Sequence, residues 1–580
     1  MAIILPQDDK NTKRASELDG VRKEYAYQTV SGIPIGVKYH DRDKDGPQWY
    51  VKVLGALLNA RDNAQAIVDK TGWKMSESFP TLSPSDLAGY IKNKEFPTLI
   101  EYFVAELGTI SGGGRPTSLA DYNAVFQQVE ATYSSTRFMS DEYFSNSFTA
   151  GPHANAFSRM MQIPDNFPIT NEIFRKTKEF ANDDLTQAIA AGRVYFCDYK
   201  ELNDLVSGIH PLQKKYIYQP IAAFAVPVGG TTMVPFAIQC GQVPAAYPVF
   251  TPADEWAWQM AKGCTWAAHY TYHEILTHLG LTHLLIEPIV IATRRQLHVS
   301  HPVYTLLSPH FEGTMYINDL AITTLMGEGQ AVDRLVGCSY NSSVSLLAKG
   351  RLDFSFSSNY LPNRLKARGL NSNVMLPNYH YRDDAMPIWN ATRAWVSRYI
   401  DRFYRSDADV RADFELQLWA AEISSNDGGR VKDFAAGGGV ESKDQLIDTC
   451  TMVMFTGGVQ HAAVNFPQLK DMSFTPGGPL AGYRAAPDST KMSEQDYLDF
   501  LPPLDIALKQ WQIMHLLGSV RHTTYGHYDG DRFKDAVVDA AAKKFRDELA
   551  MIENDIKARN QKRIPYDTLR PSLIPQSVNI

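Results

Sequence analysis

HEILTHLGLTH, residues 273–283, decides how this chain is read, because three histidines, His273, His278 and His283, recur in it at a spacing of five. Seven of the fifteen histidines fall between His269 and His310, so the repeat is part of a local concentration. Tyr270, Ile275, Leu276, Leu279, Leu281, Leu284, Leu285 and Ile286 frame it, which assigns it to a largely buried helix. Buried imidazoles need partners, and a metal ion is one. On a regular α-helix, steps of five residues leave consecutive histidines about 140° apart. A local π-type turn brings them back toward one face, so a π-bulge is expected here, and such bulges favour functional sites. The plain alternative is a core helix whose histidines bond to backbone carbonyls.

HEILTH comes close to the zinc-protease pattern H-E-x-x-H, but it is one residue too long to put both histidines at i and i+4. A second element lies far downstream in GGVQHAAVNFPQ, residues 457–468, where His461 and Asn465 are four apart and share one face of an ordinary helix. The third is the tail SLIPQSVNI. No charged side chain follows Arg570, so the carboxylate of Ile580 is the charge of that stretch. Tails are usually polar and frayed. An apolar one that returns to the interior would bury a carboxylate at large cost unless a cation met it.

With these elements in view the sequence resembles the lipoxygenases, the non-haem iron dioxygenases of polyunsaturated fatty acids. The resemblance runs from DDLTQAIAAGRVYFCDYKEL (residues 183–202) through MVPFAIQ, HEILTHLGLTHLLIEPIVIATRRQL, HPVYTLLSPHF, HAAVNFPQ, KKFRDELA and PYDTLRPS to the terminal SVNI. The region before residue 183 fits less well. The resemblance implies His278, His283, His461, Asn465 and the carboxylate of Ile580 as metal ligands, with one non-haem iron per chain. Manganese suits the same nitrogen and oxygen donors. It makes His273 a hydrogen-bonded core residue, and it puts Glu274 and Gln468 behind the ligands, orienting them. The implied reaction starts with hydrogen abstraction from a doubly allylic carbon by a metal-bound hydroxide, with no further catalytic side chain. Dioxygen then adds, and a fatty-acid hydroperoxide of the linoleate, linolenate or arachidonate class leaves.

INDLAITTL, residues 317–325, matches the arched helix that lines the family's pocket. Ala321 then stands where alanine accompanies S products and glycine accompanies R products. Leu325 and Leu517 match the pair that clamps the pentadiene, and Tyr270 falls where bulk limits pocket depth. Ile322 departs from the family's usual arginine, and Leu320 offers no charge for a substrate carboxylate. Plain core packing is the alternative for all of these apolar positions.

Composition bounds the rest. The chain has 580 residues, 44% hydrophobic and 21% charged, with a formal net charge of −7; that describes a globular protein large enough for a deep internal pocket. No basic patch suggests nucleic acid. Cys197, Cys240, Cys264, Cys338 and Cys450 are odd in number and widely spaced, which argues against a disulfide framework and for a reducing compartment. MAIILPQDDKNTKR has too short an apolar run for a signal peptide. The uncharged segment from Tyr216 to Ala253 is broken by Pro220, Pro227, Gly229, Gly230, Pro235 and Gly241, so it reads as buried strands, and no transmembrane helix is expected. The Ser111–Arg115 loop lacks the GK[ST] of a phosphate loop and reads as a mobile surface loop.

Helical periodicity dominates residues 255–300, 385–424, 441–470, 503–520 and 531–560. The expected fold is mainly α, a single large lipoxygenase-type helical catalytic domain with a few short β-strands. Residues 1–45 form an extension and 46–580 the domain. No N-terminal β-barrel is expected, as in some bacterial members of the family. WYVKVLGALLNA, residues 49–60, carries an apolar stripe of Tyr50, Val53, Leu54, Leu57 and Leu58 that suits docking on a core. The sharper alternative is a peripheral membrane contact through this N-terminal region. The chain is thus expected to be a cytoplasmic monomer, membrane-associated if that contact forms. A hydroperoxide isomerase on the same scaffold and a non-catalytic lipid carrier are the competing functions.

Overall fold

Thr251 and Asp254 start the element around which the chain is built: the backbone N–H and hydroxyl of Thr251 donate to the Asp254 carboxylate at 2.7 and 2.9 Å, a capping box with Pro252 at the first helical position. In the computed structural model, helical structure then spans Pro252 to Gln296, 45 residues, opening with a 3-10 turn, Pro252–Asp254, and a positive-φ Glu255. Described are residues 3–37, 47–75, 114–209, 213–372, 376–528, 530 and 532–580, with scattered positions between 89 and 111. The long helix is α over Glu255–Tyr272, π over His273–His283 and α again over Leu284–Gln296. The expected bulge is therefore a π-helix of 11 residues. By length and composition this helix could cross a membrane, yet 94% of its most apolar window is buried inside the protein.

Pro288 lies inside this helix and cannot donate to the carbonyl of Leu284. Arg351, 0% exposed, replaces the missing donor: its Nε lies 2.8 Å from that oxygen. Its other nitrogens reach the carbonyls of Gly429 and Arg430, and burial pushes the guanidinium down to about 10. Helix Tyr340–Asp353, which carries Arg351, comes close to the π-helix because Gly350 leaves room: a Cβ there would meet Leu276 Cδ1 at 2.3 Å.

The remaining helical stretches follow the periodicity. His380–Phe403 packs on Ala536–Asn560, and Asp384, fully buried, pairs with Arg559 and Arg563 between them. Lys443–Phe455 passes through a second π-turn, Thr456–Gln460, into His461–Asn465. The segment from Tyr216 to Ala253 forms buried strands as expected. Ile221–Ala225 and Val234–Gln239 are central in a five-stranded antiparallel sheet with Ser158–Arg159, Val194–Asp198 and Val249–Phe250. Its register shifts between Ala223 and Phe224, where Pro235 has no N–H to donate. The described strands otherwise form two-stranded pieces, so no barrel closes among the described residues. The five cysteines are buried and free.

Residues 3–37 are part of the fold. Helix Arg14–Glu24 and the hairpin Tyr27–Val30/Ile33–Gly36 pack on Leu284–Gln296, and Leu5, Tyr25, Ile33 and Ile35 join the main core. Arg14 forks onto Glu415 at 2.6 and 2.8 Å in the interior. The proposed boundary at residue 45 and the glycines at 112 and 113 lie outside the described residues. Helix Pro47–Thr71 buries Tyr50, Val53, Leu54 and Leu57 of its apolar stripe and half-buries Leu58, so the stripe is docked on the core.

Candidate metal centre

Each π-turn carries part of one cluster. His278 and His283 come from the first, and His461 directly follows the second. One ring nitrogen from each of the three lies within 4.8 Å of the others, and all three side chains are buried. The five-residue spacing works because an i→i+5 helix turns more slowly than an α-helix, which brings His278 Nε2 and His283 Nε2 to 3.3 Å of each other.

Neighbours fix the rings. His278 Nδ1 lies 3.3 Å from Glu274 Oε2, and His283 Nδ1 lies 2.8 Å from Asn318 Oδ1. Both acceptors call for a proton on Nδ1, so both Nε2 lone pairs point at one another. Burial pushes His278 and His283 down to about 3 and holds His461 well below the usual histidine range, so all three are neutral near pH 7. Neither nitrogen of His461 makes a hydrogen bond of good geometry, although the ring is 0% exposed and the Ile580 backbone lies beside it. Neutral imidazoles, two with facing lone pairs and one with none of its polar atoms satisfied, fit a bound cation.

The other sequence-derived residues converge on the same place. Asn465 is fully buried one turn after His461; its Nδ2 donates to the Leu517 carbonyl at 2.7 Å, and its Oδ1 accepts from Gln468 Nε2 at 3.0 Å. Gln468 Nε2 also lies 3.5 Å from His278 Nδ1. Burial raises the Glu274 carboxyl. His273 does not join the cluster: its Nε2 is 2.8 Å from the Val464 carbonyl. Ile580 is 2% exposed and lies beside His461, close enough to favour the charged ring.

The tail reaches this position by a series of hydrogen bonds. Tyr525 N–H donates to the Ile574 carbonyl at 2.7 Å, His310 Nδ1 lies 2.8 Å from the Gln576 carbonyl, and Trp49 Nε1 donates to the Asn579 carbonyl at 2.7 Å. Gly458, in the second π-turn, leaves space for the tail: a Cβ there would stand 2.7 Å from the Tyr525 ring and 3.0 Å from the Pro575 carbonyl.

Glu274, His278, His283 and Ile580 line one largely apolar cavity. Ala321, Leu325 and Leu517 line it, with Ile317 and Leu320 from helix Thr314–Thr324, Leu516, and Val53 from the N-terminal helix. Among the described residues no lysine or arginine lines it. Tyr270 is fully buried one turn before Glu274, between His269 and the Gly478 loop, outside the lining of this cavity. Sequence reading also missed Asn318 and Glu287. Their signal was present, since Glu287 is a lone acid in the apolar run LLIEPIV, four residues after His283.

Comparison with known proteins agrees with this geometry. The lipoxygenase family model matches residues 131–574. The chain is 38% identical over 492 residues to the linoleate 9/13-lipoxygenase of Pseudomonas aeruginosa, covering 81% of this chain and 71% of that protein. It is 31% identical over 458 residues to the human hydroperoxide isomerase ALOXE3, covering 77% of this chain and 63% of that protein. The crystal structure of the coral 8R-lipoxygenase superposes with a TM-score of 0.85 at 27% identity, over 100% of this chain and 83% of that one. With its family-model match, its relatives and its imidazole cluster beside an apolar cavity, the chain belongs to the lipoxygenase family and is an enzyme of that class.

Proposed function

We propose that the chain inserts dioxygen into polyunsaturated fatty acids of the linoleate class to give fatty-acid hydroperoxides. The observation that carries this reading is that one apolar cavity is lined by His278 and His283 of the imidazole cluster, so an alkyl chain held in it passes beside whatever the histidines hold. The proposed ligands are His278, His283, His461, Asn465 Oδ1 and the Ile580 carboxylate, holding one iron, with manganese as the alternative ion. Three neutral nitrogens, a weak amide oxygen and one carboxylate leave little anionic charge, a shell that makes an oxidised ion a good electron acceptor. Bound there, iron supplies one-electron oxidising capacity toward a weak C–H bond.

The chain's own residues do the rest. Glu274 and Gln468 hold His278 and the Asn465 amide in place, so the donors are set before any ion arrives. The hydrocarbon walls exclude water from the pentadienyl radical left by hydrogen abstraction. Leu325 and Leu517 border the reacting segment, and the small Ala321 leaves room for dioxygen on one side. In the net reaction one C–H bond breaks, one C–O bond forms, and both oxygen atoms stay in the product.

Similarity to a hydroperoxide isomerase supports a second reading, in which the same centre rearranges a peroxide and consumes no dioxygen. Oxygen uptake with linoleate, followed together with conjugated-diene absorbance and with iron and manganese quantified in the same sample, separates the two. Coupled uptake and diene formation support the dioxygenase. Metal-replete protein that consumes added hydroperoxide without uptake supports the isomerase.

A further inference from the structure

Glu287 follows His283 by four residues on the central helix and is 4% exposed, yet no cation pairs with it among the described residues. Two N–H groups occupy its oxygens. The Gly36 backbone, at the end of the N-terminal hairpin, donates to Oε1 at 2.7 Å, and Asn318 Nδ2 donates to Oε2 at 2.8 Å. Asn318, 0% exposed, turns its other end to the metal cluster, with Oδ1 2.8 Å from His283 Nδ1. Its Nδ2 also lies 3.2 Å from the His283 carbonyl.

An amide offers oxygen to one side and NH2 to the other. Both Glu287 oxygens accept an N–H, Oε1 from Gly36 and Oε2 from Asn318, so the side chain draws the NH2 end of Asn318 toward itself and leaves the amide oxygen for the ring. An oxygen against Nδ1 selects the tautomer protonated there, which frees Nε2 to bind a cation. Asn318 stands on the helix whose Ile317, Leu320 and Ala321 line the cavity, so the hairpin, the imidazole and the pocket wall share one hydrogen-bonded link. We infer that Glu287, clamped by the N-terminal hairpin, is a positioning residue that fixes the Asn318 amide and through it the ligand-competent tautomer of His283. This rests on the reading of His283 as a metal ligand.

Exchanging the two groups tests it. In Glu287→Gln, if the new oxygen takes the Gly36 N–H, two NH2 groups face each other; Asn318 then turns over and moves the ring proton to Nε2. If the glutamine turns the other way, the Gly36 N–H is left buried without a partner. Asn318→Asp sets two carboxylates against each other. The double variant Glu287→Gln/Asn318→Asp restores Gly36 to Gln, Gln to Asp, and His283 Nδ1 to Asp, and loses only the longer contact to the His283 carbonyl.

The readout is the affinity of the full-length apoprotein for ferrous ion, by equilibrium titration. Each single variant is expected to bind roughly ten- to a hundred-fold more weakly, and the double variant to recover most of that loss. A Glu287→Gln chain with unchanged affinity, or a double variant no better than the weaker single one, overturns the inference. An unaltered chain that binds iron without oxygenating linoleate would sink the dioxygenase reading and leave this one standing on the affinities. An unaltered chain that takes up no iron would sink both.

Discussion

His278 Nε2 and His283 Nε2 face each other at 3.3 Å while their Nδ1 atoms are held by Glu274 and Asn318. With both ring protons committed outward, two lone pairs share a buried space, and a cation between them relieves the repulsion. The fold therefore stores part of the cost of a preorganised metal site, and ion binding should return it as stability.

Alanine at His278, His283 or His461 is expected to abolish metal retention and activity. His273→Ala should keep a measurable fraction of both, since His273 bonds to the Val464 carbonyl and not to the cluster. Metal content per chain decides this, and equal loss at His273 would mean that the wrong pair of histidines was assigned.

One residue added after Ile580 moves the carboxylate away from His461 in a tail whose Ser577, Val578 and Asn579 are all 0% exposed. The extended chain is expected to lose turnover and most of its iron. An active, iron-replete extended protein would remove Ile580 from the ligand set.

Ala321 lines the cavity on the helix that also carries Asn318, and glycine there opens space on the wall beside the reacting carbon. Ala321→Gly is expected to raise the R share of the hydroperoxide in chiral chromatography. An unchanged enantiomer ratio would show that oxygen access is set elsewhere in the cavity.

Arg351 replaces the donor that Pro288 cannot supply to Leu284 and also satisfies Gly429. Arg351→Met leaves these buried carbonyls without a donor, at about 1–3 kcal/mol for each unsatisfied group. Urea denaturation of the apoprotein should show a loss of that order, and a loss under about 0.5 kcal/mol, the size typical of surface substitutions, would mean that water replaces the guanidinium.

Glu553 titrates at about 2 in the fold, because Lys557, Ser572 and Arg570 favour its charged form more than burial opposes it. A carboxyl lowered from 4.5 contributes stability above about pH 4.5, which is lost as the pH falls toward 2. Glu553 accepts the Ser572 N–H at 2.9 Å, so this stability belongs to the anchoring of the tail. Thermal unfolding between pH 5 and pH 3 should fall more steeply in the unaltered chain than in Glu553→Gln; parallel slopes would count against it.

The candidate site was legible where chemistry depends on residue type and local spacing. HEILTHLGLTH announced a π-turn, and HAAVN put two donors on one helical face. INDLAITTL placed Ala321 and Leu325, both of which line the cavity. The docking of residues 3–37 was not legible, because the contacts that make it, Arg14 to Glu415 and Gly36 to Glu287, span hundreds of residues.

By itself the sequence determined the helical class, the buried strands of the 216–253 segment and the five-residue histidine spacing, because periodicity and residue chemistry act over a few residues. Only the tertiary structure decided which histidines face one another, which donor replaces the one Pro288 lacks, and that the hairpin within residues 3–37 reaches a carboxylate behind His283. Those relations depend on side-chain direction between segments distant in the chain, where a shift of one ångström separates a hydrogen bond from none.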